Sequence, residues 1–213
     1  MIKKSRILQI ANLWRCIPAY FLVFTISSDV RNLITDELYY WKKCAQRLEN
    51  TKFDLFCGLM LDLKEYRSLL QYRISVWGGG KIRKIILKVL FPGMETLYIN
   101  TPEIGPRLFI QHGFATNISA LKIGSDCWIN QQVTIGYTFD KKPPTIGNGV
   151  RISAGAKVIG DIKIEDNVII AANAAVVKDI EENDIVGGVP AKKIGVNIEH
   201  KLYVNTKNKE EIL

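Results

Sequence analysis

Two side chains in this 213-residue chain, His112 and His200, carry an imidazole. That group titrates near ~6.5 when unperturbed and is well suited to take a proton from a hydroxyl. His112 follows Phe109-Ile110-Gln111 and precedes Gly113, whereas His200 lies in a polar tail and reads as a surface residue. The four cysteines, Cys16, Cys44, Cys57 and Cys127, are far apart in sequence and lack the close pairing of a zinc site or a redox dithiol. No secretory cleavage pattern precedes them, so they read as reduced thiols of a cytoplasmic protein. A net charge of +8 suits a nucleic acid, an anionic membrane surface or a phosphorylated cofactor, and equally a solvated surface, because the excess lysines are spread along the chain.

The elements that would position these groups fall into two kinds. Residues 1–96 read as an α-helical region. Val30, Leu33, Ile34, Leu38, Trp41 and Ala45 share one helical face, with Ser28 or Asp29 as the N-cap. Phe53, Phe56, Met60, Leu63, Leu69 and Leu70 form a second apolar face that ends before Gly78-Gly79-Gly80. Ile82, Ile85, Ile86, Val89 and Leu90 then mark a further helix, closed by Pro92-Gly93. Ahead of these, the apolar stretch from Ile7 to Ile26 follows Lys3, Lys4 and Arg6 but contains Arg15 and Pro18. A spanning helix of ~20 residues is nearly free of charge, so a buried or oligomer-facing helix, or a peripheral membrane contact through residues 7–26, suits the stretch better.

Beyond Pro92 the period changes to six. Ile146, Ile152, Val158, Ile164, Ile170 and Val176 recur without a slip, and Ile123, Ile129 and Ile135 keep the same register upstream. Ile104 and Ile110 join it after one inserted residue near Thr116 or Asn117, and a loop from Tyr137 to Thr145 separates Ile135 from Ile146. Four residues after each aliphatic stands a small or β-branched one: Cys127, Val133, Val150, Ala156, Ile162, Val168 and Ala174. A coil of short strands and tight corners explains this pattern. Two inward positions per strand fill a narrow interior, and stacking coils about 4.8 Å apart pairs the backbone of each with the next. A parallel α/β sheet is excluded, because its crossovers need roughly a dozen residues and none are present.

The stretches HGFATNISALKIGSDCWINQQVTIG, IGNGVRISAGAKVIGDIKI and GGVPAKKIG resemble the hexapeptide-repeat acyltransferase superfamily, in particular its serine acetyltransferase-like branch. The resemblance implies a mainly β fold: a left-handed parallel β-helix over residues 97–196, preceded by the α-helical region and followed by a C-terminal tail, 197–213. It also implies a homotrimer, possibly a dimer of trimers, that uses acetyl-CoA without a metal. His112 is then the base that activates an acceptor hydroxyl for attack on the thioester. Backbone groups of Gly136, Ala154 and Ala172 would lie along the pantetheine arm, with Lys178, Lys192 and Lys193 at the CoA phosphates.

Two departures from that branch bear on the acceptor. Where serine acetyltransferases place an aspartate that orients the base, this chain has Tyr98-Ile99-Asn100-Thr101, leaving Asn100 as an amide substitute and Glu103 as the nearest carboxylate. Where the branch has an Arg-His pair for an amino-acid carboxylate, this chain has Lys142-Pro143-Pro144. Trp128 and Gln131 stand at outward positions near His112 in the repeat. Trp128 reads as an exposed or trimer-facing aromatic or as a platform for a sugar ring, and Gln131 as a substrate hydrogen-bonder. The leading expectation is acetylation of a sugar hydroxyl in surface polysaccharide synthesis, capsule or lipopolysaccharide, supported by the loose likeness of Glu65-Tyr66-Arg67-Ser68 and Tyr72-Arg73 to helical extensions of such proteins. The alternatives are serine O-acetylation, although the chain ends Glu211-Ile212-Leu213 without the branch's terminal isoleucine, and a non-catalytic β-helix scaffold. No nucleic-acid partner is expected.

Overall fold

The computed structural model describes residues 10–78, 80–139 and 142–198. His200 and the rest of the tail from residue 199 on, Asp140, Lys141 and the start of the Ile7–Ile26 stretch lie outside the described residues. The chain divides into two compact units, one made of residues up to Ile99 with the corner His112–Phe114, the other of Asn100–Gln111 and the residues from Ala115 onward.

The first unit contains five described helices: α1 (Leu13–Phe24), α2 (Ser28–Cys44), α3 (Lys52–Asp62), α4 (Lys64–Val76) and α5 (Lys81–Leu90). Val30, Ile34, Leu38 and Trp41 of α2 are buried as their spacing predicts. The N-cap differs from expectation: Ser27 holds that position without a capping bond, and the Ser28 hydroxyl instead donates to Asp29 at 3.3 Å. The second apolar face is also two helices rather than one. Leu63, in extended conformation, ends α3 and begins α4. Arg67 stabilises the break by donating to the carbonyls of Met60, Leu61 and Pro92 at 2.5, 2.7 and 3.2 Å, which satisfies acceptors a helix end leaves open. The neighbouring Ser68 hydroxyl accepts the Met94 N–H at 2.8 Å.

Arg73 is fully buried and donates to both oxygens of the buried Glu37 at 2.9 and 2.7 Å, tying α4 to α2, with its guanidinium 4.2 Å from the Trp77 ring. The Glu65–Ser68 and Tyr72-Arg73 stretches thus do structural work inside the helical unit. Cysteines distant in sequence also meet here: the buried thiols of Cys16 and Cys57 hydrogen-bond, lowering the pKa of Cys16 and raising that of Cys57. In α5 only Leu87 is buried, and the stripe Ile82, Ile85, Ile86 and Val89 faces outward.

From Leu97 the chain runs through short strands: β1 (Leu97–Ile99), β2 (Glu103–Ile104), β3 (Phe109–Ile110), β4 (Thr116–Ile118), β5 (Lys122–Ile123), β6 (Trp128–Ile129), β7 (Thr134–Gly136) and β8 (Thr145–Ile146). They continue as β9 (Arg151–Ile152), β10 (Lys157–Ile159), β11 (Lys163–Ile164), β12 (Ile169–Ile170), β13 (Ala175–Val176), β14 (Asp184–Gly187) and β15 (Lys192–Val196). As far as β13 each strand stacks on the one three before it, and β14 then stacks in parallel on β12, so the chain winds as a β-helix with three faces. The six-residue period becomes three aliphatic ladders. Ile104, Ile123, Ile146 and Ile164 stack on one face, and Ile110, Ile129, Ile152 and Ile170 on the next. Ile118, Ile135, Val158 and Val176 form the third. Of the small or β-branched set, Cys127, Val133, Val150, Ala156, Val168 and Ala174 are buried between them, while Ile162 is half-buried. The parallel stack closes with β15 running antiparallel to β14.

The register irregularity lies elsewhere than expected. Ile118, not a residue near Thr116, takes the inward position, and it follows Ile110 by eight residues where Ile135 follows Ile129 by six. The extra length falls in the corner that carries His112 and Ala115, both with positive φ.

Candidate functional site

His112 is exposed and stands two residues beyond the inward Ile110 of β3. Its φ of 55° is shared in kind by corner residues such as Asp126, Gln132, Asn167 and Asn173, so this conformation belongs to the coil's corners and is not a mark of special strain. The Phe114 N–H donates to the His112 carbonyl at 2.5 Å and tightens the turn. The residue before it is held firmly. The Gln111 N–H donates to the Ile129 carbonyl at 2.9 Å. Its side-chain oxygen accepts from Trp128 Nε1 at 3.2 Å and from Asn130 Nδ2 at 3.1 Å. Sequence reading passed over Gln111; a polar side chain between a buried isoleucine and the histidine was the available signal.

Several of the expected residues share one offset in the repeat. His112, Gln131, Ala154 and Ala172 each stand two positions past the inward isoleucine of β3, β6, β9 and β12, strands that stack in one sheet. The Gly155 N–H donates to the Gln131 carbonyl at 3.0 Å and the Asn173 N–H to the Ala154 carbonyl at 2.9 Å, so Gln131, Ala154 and Ala172 share one corner column. The Gln131 side-chain oxygen is buried without a hydrogen-bond partner, an acceptor that a ligand hydroxyl or amide would satisfy. Trp128 is half-buried, its indole N–H engaged by Gln111 and its ring edge-on to Phe109 at 4.7 Å.

Gly136 ends β7, and a Cβ there would meet only Ile159 Cδ1 at 3.9 Å. Gly105, Gly124 and Gly147 differ: a Cβ on any of them would come within 2.7 Å or less of the next coil. Packing demands glycine at those three positions and leaves Gly136 free of any such demand. In the last coil a cleft of about 120 Å³ is lined by Val176, Val177, Lys178, Ile180, Pro190, Ala191 and Lys192. Lys178 and Lys192 therefore converge on one concavity, whereas Lys193 pairs with Asp184 at 2.6 Å. Asn100 and Lys142 are exposed, and Glu103 is bound by Lys122 at 2.6 Å.

Residues 143–178 match the family described as bacterial transferase hexapeptide (six repeats). A serine acetyltransferase of Staphylococcus epidermidis is 38% identical over 127 residues, covering 52% of this chain and 60% of that protein. The chain thus spans about 60% of that relative's length. A crystal structure of serine acetyltransferase from Brucella abortus superposes with a TM-score of 0.66 at 23% identity, over 84% of this chain and 74% of that one. The same enzyme in complex with coenzyme A gives 0.62 at 22% identity, over 84% and 73%. Repeat, coiled fold and relatives agree: residues 143–178 carry the hexapeptide transferase repeat, and the chain is similar to serine acetyltransferases in sequence over about half its length and in fold.

Proposed function

We propose that the protein is an acetyl-CoA-dependent O-acetyltransferase with His112 as general base. The observation that carries this reading is the corner column of Gln131, Ala154 and Ala172, with His112 at the same offset in the repeat after β3, in a β-helix whose last coil holds a cleft lined by Lys178 and Lys192. The acceptor O–H gives its proton to the imidazole as its oxygen attacks the thioester carbonyl carbon. The C–S bond then breaks, and the imidazolium returns the proton to the departing CoA thiolate. Backbone groups at Gly136, Ala154 and Ala172 would lie along the pantetheine, an amide among them stabilising the developing oxyanion. Lys178 and Lys192 would meet the phosphates. The active form would be a homotrimer, for which sedimentation equilibrium should return three chains per particle.

The relatives support L-serine as the acceptor over the sugar hydroxyl favoured by the sequence departures. A sugar remains the second reading on one observation: Glu103, the nearest carboxylate to the expected dyad, is engaged by Lys122, and Asn100 offers only an amide. Release of free CoA thiol from acetyl-CoA, with L-serine and a panel of sugars and nucleotide sugars in parallel, separates the two. Turnover with serine alone supports the first reading, turnover with a sugar alone replaces it with the second, and turnover with neither removes both. His112→Ala should abolish turnover while acetyl-CoA binding stays within a few-fold; retained turnover would dismiss His112 as the base.

A further inference from the structure

We propose that α1 and α5 form a docking surface for an anionic lipid bilayer. The two helices pack antiparallel: Arg83 of α5 donates to the Leu22 carbonyl at 2.7 Å and to Thr25 Oγ1 at 3.1 Å, while Arg15 of α1 reaches the Leu90 carbonyl at 3.4 Å. Each turns one side into the helical core, through Cys16, Ala19 and Val23 on α1 and Leu87 on α5. Helical spacing puts Trp14, Ile17 and Phe21 opposite the first set, and Ile82, Ile85 and Val89 opposite Leu87. Both apolar stripes therefore face away from the helical core, with Trp14, Ile82 and Val89 each more than 70% exposed (71%, 74% and 75%).

Charge identifies the occupant. Neither helix contains an Asp or Glu, while Lys81 and Lys88 are exposed along the α5 stripe and Lys84 is half-exposed. An apolar stripe bordered by lysines is the composition of a helix lying in the headgroup region of an anionic leaflet. A second copy of the face would oppose lysine with lysine. No described helix is long and apolar enough to cross a bilayer, and the 12 residues of α1 extend about 18 Å against a hydrocarbon core of about 30 Å. The inference does not depend on the reaction proposed above.

The test is cosedimentation of the full chain with phosphatidylcholine vesicles, with and without a one-third share of phosphatidylglycerol. Binding should require the anionic lipid and weaken with salt. Trp14→Ser with Val89→Ser should abolish it, and both sites are exposed enough to leave the melting temperature unchanged. Lys81→Glu with Lys88→Glu, which touches no apolar contact, should lower the partition coefficient by at least about tenfold. No binding, equal binding to both vesicle types, or binding unaffected by the charge-reversed variant would overturn the proposal. Concentration-dependent self-association abolished by Val89→Ser, without vesicle binding, would also overturn it by assigning the face to a second copy.

Discussion

Gly124 and Gly136 both follow a buried isoleucine, yet their environments separate a packing role from a ligand role. A Cβ at Gly124 would lie 2.6 Å from the Gly147 backbone, so Gly124→Ala should cost about 2 kcal/mol, read by urea unfolding. At Gly136 the nearest atom is a flexible side-chain methyl at 3.9 Å, so Gly136→Ala should leave stability unchanged or about 0.5 kcal/mol higher. If acetyl-CoA runs past this position, its KM should nevertheless rise severalfold; an unchanged KM would remove Gly136 from the site. Gln111 is a positioning residue for the corner. With its acceptor gone, Trp128 and Asn130 lose their shared partner. Gln111→Ala should lower kcat about tenfold with the KM for acetyl-CoA within twofold, consistent with a displaced base and an intact cofactor path. Equal losses in both would mean a merely structural role.

At the scale of elements, the helical unit depends on one buried ion pair. Arg73→Ala would strand the Glu37 carboxylate between α2 and α4 and should cost about 3–5 kcal/mol in denaturant unfolding. Arg73→Met with Glu37→Leu removes both charges and should cost clearly less, because an apolar pair needs no compensation. A double variant as unstable as the single one would show that the Trp77 stacking and local shape matter more than charge. The helices themselves were legible from apolar spacing, but the break at Leu63 was not. Its cause is Arg67 reaching back to the α3 carbonyls and on to Pro92, a contact that helical periodicity does not encode. The inverse holds for α5: its amphipathic pattern was plain, and which side meets protein depended on α1 and on Leu87.

At the scale of the whole molecule, Cys127 and Tyr66 are two of the buried acids that bear on its alkaline stability. Burial pushes the Cys127 thiol in the β-helix interior up to about 12 from 9.0, and the Tyr66 phenol in the helical unit well above 10.0. Both raised values favour the neutral form in the folded state, so the stability linked to them is intact below about pH 9. It is lost as pH climbs toward the folded values. Melting temperature should fall progressively across that range, and Cys127→Val should flatten the decline; an unaltered slope would show that Cys127 is not one of its sources. The coiled architecture was legible from residues 104 to 176 because each six-residue turn places its own aliphatic inward, a choice repeated locally at every corner. The eight-residue corner at His112, the clamp on Gln111, the convergence of Lys178 and Lys192 and the Cys16–Cys57 contact were not legible in the same way. Each is made by side chains from different coils or helices, and which of them meet depends on how coils and helices stack, for which a linear pattern carries no spacing.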